Sequence, residues 1–322
     1  MEQILFLDTS VASLNKGDDI IMKCFKEEMK FLSKDKFIIN LPTHVSPFHA
    51  YQIWRNSRRL KVYKNASYKL VGGTNLLVPN MLTHFPQWNI NIFNFQAIKG
   101  CILVGVGAGA GEKSNFYTKY LYSKLLNQDY FHSARDERSK KIMESYGVKA
   151  INTGCVTMWK LTPEFCLDIP HKKASQVVFT LTASTSKDVN DQKIIDTLVN
   201  KYEKVYYWPQ GMEDYDYLHQ FNNIKKIKIL GSELEEYEKI LQMEDLDYVG
   251  TRLHGGVYAM RHKKRRIIIA IDERAREINK CNNLNCVDKN NIGELEGLIN
   301  SEFETKIIMP FDKIEQWKNQ FK

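Results

Sequence analysis

Short, almost unbroken apolar runs recur along the chain, each followed by a stretch with helical spacing. In the first half they are QILFLD (3–8), KFIIN (36–40), YKLVGG (68–73) and CILVGVG (101–107). The second half adds QVVFTLT (176–182), KVYYWP (204–209), KIKIL (226–230), DYVG (247–250) and RRIIIAI (265–271). Runs this short and mostly apolar read as strands buried on both faces. Between them lie helical patterns such as DDIIMKCFKEEMKFLSK and NFYTKYLYSKLLN, with others near 190–202, 234–243 and 254–262. Such alternation implies an α/β fold with mostly parallel sheets covered on both faces.

The stretch TGCVTMWKLTPEFCLDIPHKKAS (153–175), punctuated by Pro163 and Pro170, interrupts the pattern before it resumes. With 322 residues to divide, two Rossmann-like domains are expected, 1–170 and 171–322. The terminal helix near FDKIEQWKNQF is drawn packing back on the first. A net charge of +8 favours anionic partners without choosing among them. Six cysteines are scattered with no CxxC or Cys/His cluster, which speaks against a zinc site or a disulfide framework. The N-terminus has no basic region or cleavage-like site, and the apolar run 100–111 is too short and glycine-rich to span a bilayer. A cytoplasmic protein without metal or cofactor is the expectation.

Ligands of such sheets bind beyond the carboxyl ends of the strands, so five strand-to-helix turns matter most. SLNKGDDII (13–21) holds Asn15, Gly17 and Asp18, and a helix capped by Asp18 or Asp19 accounts for it as well as a ligand contact. LVGGTNLL (70–77) offers Gly72, Gly73, Thr74 and Asn75, where the backbone can approach another group closely. VGVGAGAGE (104–112) fits a loose dinucleotide fingerprint at Gly105, Gly107 and Ala110, but the acidic residue expected about 20 positions on is poorly matched by Asp129. A glycine-rich wall is the better reading. In HSARDERSKKIMESYG (132–147), Arg135 is a possible anion contact and Asp136 a helix cap; a solvated arginine explains the local pattern equally well.

VGTRLHGGVYA (249–259) makes the strongest demand. Arg252 offers a planar fork matched to phosphate or carboxylate. His254 titrates near neutrality and can serve as acid or base. Both stand where a helix N-terminus already favours negative charge. A salt-bridged arginine and a histidine satisfied by a carbonyl are the competing structural explanation.

Together these stretches resemble the polysaccharide pyruvyl transferase family: NKGD, VGGTNLL, VGVGAG, ARDERS…YGV and above all GTRLHGGVYAM, in the family's order. Thr74 departs from it, standing where the family often has a third glycine. The resemblance implies a GT-B-like fold with two Rossmann-like domains facing a central cleft, the first on the acceptor side and the second on the donor side. It implies transfer of pyruvate from phosphoenolpyruvate to two hydroxyls of a sugar as a cyclic ketal, in bacterial surface or capsular polysaccharide biosynthesis. Arg252 and His254 fall on catalytic positions; Arg252, Leu253, Gly255 and Arg135 on donor-binding ones. Asn15, Asp18, Gly72, Gly73, Thr74, Asn75 and Gly107 line the acceptor side or the cleft. The base is not identifiable from these residues, Asp18 being no more than a guess, and the acceptor is open to being lipid-linked. A nucleotide-sugar glycosyltransferase on the same scaffold is the alternative. Weak contact of RHKKRR (261–266) with an anionic membrane, at its inner face, is a further expectation, against a solvated helix end entering a buried strand. Nucleic acid is not among the expected partners.

Overall fold

The computed structural model describes residues 1–55, 57–84, 87–109, 111, 114–271 and 273–322, without the side chains of 273–275 and 277. The chain forms two compact units. Met1–Ser13, Ile21–Trp159 and Pro310–Lys322 make the first, and Leu14–Ile20 with Lys160–Met309 the second.

In the first unit, β1 (Gln3–Asp8), β2 (Phe37–Pro42), β3 (Tyr68–Gly72) and β4 (Ile102–Val104) run parallel in the order β2-β1-β3-β4. The winding reverses between β1 and β3, so the turn after β3 lies at a topological switch point. A second parallel pair, β5 (His132–Ala134) and β6 (Ala150–Asn152), stands beside β4. Strands of three residues are too short to show a period, and the apolar pattern did not announce these two. Side chains replace the ladder between β4 and β5. The Leu103 N–H donates to His132 Nδ1 at 3.0 Å, and the Gly105 N–H to Ser133 Oγ at 2.7 Å. The core gathers Leu5, Leu7, Val71, Leu103, Leu121 and Met143. The helix Phe311–Asn319 belongs to this unit through fully buried Trp317. Its indole N–H donates to the Phe131 carbonyl at 2.7 Å.

In the second unit, six parallel strands follow the doubly wound Rossmann order. They are β7 (Gln176–Thr180), β8 (Lys204–Tyr207), β9 (Ile227–Ile229), β10 (Asp247–Gly250), β11 (Arg266–Ala270) and β12 (Cys286–Asp288), arranged β12-β11-β10-β7-β8-β9. The switch point falls between β7 and β10, where Gly250 stands opposite Thr180. Val177, Phe179, Val249, Ile267, Ile269 and Val287 share one core. The fold is therefore α/β with three parallel sheets.

No helix among the described residues is long and apolar enough to cross a membrane. The basic run 261–266 is not the solvated face that membrane contact requires. Arg261, Lys264, Arg265 and Arg266 are buried, and the Lys263 ammonium pairs with Asp168 at 2.7 Å. Arg265 binds Asp247 at 2.8 Å and donates to the carbonyls of Leu298, Ile299 and Ser301. These cations close the entry to β11, with Arg265 and Lys264 donating to nearby carbonyls and Arg266 to Thr305 Oγ1 at 3.1 Å.

Burial lowers the His132 pKa to about 4. Its Nδ1 accepts, so the proton sits on Nε2, 2.9 Å from the Asn127 carbonyl. The unfolded chain takes up a proton below about pH 6.5, the ordinary histidine value, whereas the folded chain resists until about pH 4. The contribution is complete above the unfolded pKa and is lost as pH falls to the folded one, about 3 kcal/mol in all. Denaturant midpoints at pH 7.5 and 5 should separate for the wild type by about 2 kcal/mol more than for His132→Gln. Equal separations would contradict a neutral buried ring.

Candidate active site

In the second unit β10 ends at Gly250, and Arg252, extended at φ −88° and ψ 103°, leads into the helix Leu253–Arg261. A ring of hydroxyls fixes that turn to β7. The Tyr248 hydroxyl donates to the Arg252 carbonyl at 2.7 Å and lies 2.6 Å from Thr180 Oγ1, which accepts from the Arg252 N–H at 3.3 Å. Burial pushes the Tyr248 phenol well above its ordinary range, so it stays a donor.

The Arg252 guanidinium faces Asp214, which opens the helix Asp214–Leu218 after β8. Nε donates to Oδ2 at 3.1 Å and Nη2 to Oδ1 at 2.5 Å. Asp214 has no exposure, and its oxygens also accept from the Ala183 N–H at 3.0 Å and the Gly211 N–H at 2.7 Å. The side edge of the Arg252 fork, open to an anion in the sequence reading, is therefore spent inside the protein. The outer Nη1–Nη2 edge is what an anion can still engage, since a guanidinium carries five N–H donors in a fixed plane.

Residues 14–20 complete this group. The Lys16 N–H donates to the Gln210 carbonyl at 2.8 Å, and the Met212 N–H to the Leu14 carbonyl at 3.0 Å. Asn15 Oδ1 accepts from the Gly17 N–H and from Gln210 Nε2, both at 2.9 Å. A β-carbon on Gly17 would stand 2.9 Å from Gln210 Nε2 and 3.5 Å from His254 Nδ1, so it would push the Gln210 amide aside while touching His254 at ordinary contact distance. Asp18 and Asp19 fall inside the first turn of the helix Gly17–Glu28. The leading amide goes to Asn15, and the expected Asp cap is corrected accordingly.

The remaining candidates gather in the first unit. After β3, Gly73 (φ +53°) and Thr74 (φ +50°) turn left-handed. The Thr74 carbonyl accepts from the Gly107 N–H at 2.8 Å. A β-carbon on Gly107 would come within 2.5 Å of Arg135 Cζ and 2.7 Å of Asn75 Oδ1. Arg135, with its side chain 7% exposed, pairs with Asp136 at 3.3 Å. Its side chain is therefore largely withdrawn from solvent. Asp136 caps the helix Glu137–Ser145 by accepting from the Ser139 N–H, as its place in the sequence suggests.

The glycine loop has no amide to spare for a phosphate between 105 and 109. Those N–H groups donate in turn to Ser133 Oγ, the Ser133 carbonyl, the Thr74 carbonyl, Ser139 Oγ and the Leu77 carbonyl. The loop is thus a wall held by its neighbours and not an anion nest. Ala110 lies outside the described residues.

Sequence reasoning missed Asp214 and Gln210. Both sit in WPQGMED at the carboxyl end of β8, where the Pro-Gln-Gly punctuation marks a turn of the kind that carries ligands. Gln210 is 2% exposed and its Oε1 is buried without a hydrogen-bond partner. Among the described residues, no group of three or more His, Cys, Asp or Glu is placed to hold a metal ion.

A family model described as polysaccharide pyruvyl transferase matches residues 15–273. The chain belongs to that family. No curated protein matches it in sequence. Among solved structures it is similar to S. aureus MnaA in a co-structure with UDP (11% identity, TM-score 0.50, covering 94% of this chain and 92% of that one). It is also similar to Methanocaldococcus jannaschii UDP-GlcNAc 2-epimerase (10% identity, TM-score 0.49, 99% of each chain). A third is E. coli heptosyltransferase WaaC (12% identity, TM-score 0.37, 83% and 88%). At these identities the likeness speaks to the fold alone, which is GT-B-like. The matched segment contains both groups of candidate residues.

Thr74 is β-branched in a region that glycine occupies freely, at a cost of about 1–3 kcal/mol. Thr74→Gly should therefore raise the stability by about 1 kcal/mol after glycine's greater unfolded freedom is deducted. A denaturant midpoint that falls would show that the Thr74 side chain contributes more than its backbone costs.

Proposed function

We propose that this protein transfers the pyruvyl group of phosphoenolpyruvate to two hydroxyls of a sugar, forming a cyclic ketal in surface polysaccharide synthesis. The observation that carries the reading is the Arg252–His254 turn at the switch point of a Rossmann-type sheet, inside a chain of this family. Arg252 is braced on one edge by Asp214 and keeps its outer edge for an anion. Phosphoenolpyruvate carries a phosphate and a carboxylate, and a braced guanidinium loses little freedom on meeting either.

In this mechanism protonated His254 gives its proton to the methylene carbon of the donor, and C2 becomes oxocarbenium-like. The first sugar hydroxyl forms a C–O bond there and releases its proton. The C2–O–phosphate bond then breaks, phosphate leaves, and the second hydroxyl closes the ketal. Of the two hydroxyl protons released, one restores His254 and the other departs with phosphate or solvent. Arg252 meets the charge that gathers on the leaving phosphate. Leu253 and Gly255 belong to the donor turn, with Arg135 as a further donor contact. Asn15, Asp18, Gly72, Gly73, Thr74, Asn75 and Gly107 are assigned to the acceptor or to the walls around it.

His254→Gln retains size and hydrogen bonding but delivers no proton. Turnover should drop by about two to four orders of magnitude while phosphoenolpyruvate still binds. In the wild type, turnover should decline as pH rises and the ring loses its proton. The measurement is phosphate release with a sugar diol acceptor, alongside binding titrations with phosphoenolpyruvate and UDP. Near-normal turnover in the Gln variant removes His254 from the chemistry, and binding of UDP in preference to phosphoenolpyruvate favours a nucleotide-sugar transferase.

A further inference from the structure

The chain has 46 Lys and Arg against 38 Asp and Glu. Eight of those cations and none of the acids fall between residues 36 and 111, leaving 38 of each elsewhere. The entire net charge of +8 thus arises in one acid-free segment of the first unit.

Within that segment the charge is concentrated further. Arg55, Arg58, Arg59, Lys61 and Lys64 occupy ten consecutive positions, and all five are exposed. They lie at the end of the helix Ala50–Trp54 and along the helix Arg58–Lys64. The second helix is anchored by Leu60 and Tyr63, which are buried in the core of the unit, so its charges are held outward. Trp54 and Tyr51 are 76% and 54% exposed, their rings 6.2 Å apart, and the Arg55 guanidinium stands 5.7 Å from the Trp54 ring centre and 5.1 Å from that of Tyr51. The short helix Phe95–Ala97 packs against Arg58–Lys64, and Phe93 just before it is 76% exposed.

We propose that this face binds an anionic phospholipid bilayer. Exposed tryptophan and tyrosine favour the boundary between headgroup and acyl chain. A run of arginine and lysine is drawn to a negative lipid surface over roughly a Debye length. Basic charge alone suits nucleic acid equally well. Large, mostly exposed apolar side chains beside the charge favour the lipid surface, because they gain by leaving water there. The surface lies on other residues than the catalytic turn, so the inference stands whichever reaction the protein performs.

The test is co-sedimentation of the full chain with vesicles of phosphatidylcholine, with and without phosphatidylglycerol, at low and high salt. Binding should require phosphatidylglycerol and weaken as salt rises. Replacing Arg58, Arg59 and Lys61 together by Gln should reduce partition by about tenfold or more. Trp54→Ala should reduce it while keeping its salt dependence. Circular dichroism verifies that both variants fold. Absence of binding at low salt, equal binding to neutral vesicles, or unchanged partition in both variants overturns the proposal. So does retention by RNA without retention by vesicles, which would make the face a polyanion site.

Discussion

Asp214 is a carboxylate without exposure whose two oxygens accept four N–H groups, two from the Arg252 fork and one each from Ala183 and Gly211. A buried carboxylate of this kind is tolerable only when its lone pairs are filled and a cation stands beside it. The interaction ties three segments together: the stretch after β7, the loop after β8 and the turn after β10. The strand order places β7 and β10 side by side at the point where the winding reverses, so the pair stands where a doubly wound sheet offers its ligand site. The Arg252–His254 turn inherits its position from that packing. Tyr248, Thr180 and the stacked rings of Trp208 and Tyr237, 4.1 Å apart, close around it, and the Tyr237 hydroxyl holds the Gly255 carbonyl at 2.9 Å.

The central strands of the two larger sheets were legible because parallel strands covered on both sides must be apolar throughout, although the edge strands β2 and β9 are partly exposed. All but β12 of the ten strands in those sheets coincide with such a run. The strands β5 and β6 escaped because they are three residues long and β5 is held by His132 and Ser133 side chains, which leave no apolar run to read. At the candidate site, Arg252 and His254 stood out because their chemistry is unusual at a helix start. Their supports did not. An aspartate in a loop is common, and only the fold reveals that Asp214 reaches 38 positions along the chain to Arg252. The same blindness made RHKKRR look like a surface patch, when four of its six side chains close the buried entry to β11.

In the first unit, the loops after β3 and β4 are laced to each other and to the segment 132–139. Arg138 donates to the carbonyls of Ala108, Gly109 and Gly111 while Ser133 and Ser139 take amides from the same loop. Glycines there serve close approach between protein groups: the Arg135 side chain occupies the room that a β-carbon on Gly107 would need. A wall built this way is stiff, and the left-handed Thr74 within it is held by a carbonyl bond to Gly107.

The central claim is that Asp214 acts through Arg252, holding one edge of the guanidinium so that the other meets the donor. The most direct test is a double-mutant cycle on kcat/KM for phosphoenolpyruvate, with Asp214→Asn, Arg252→Lys and the pair together. If Asp214 works only through the fork, the double variant should lose no more than about threefold beyond the worse single variant, a strongly non-additive result. Losses that multiply would contradict the account, because they would mean that the two side chains serve the reaction independently.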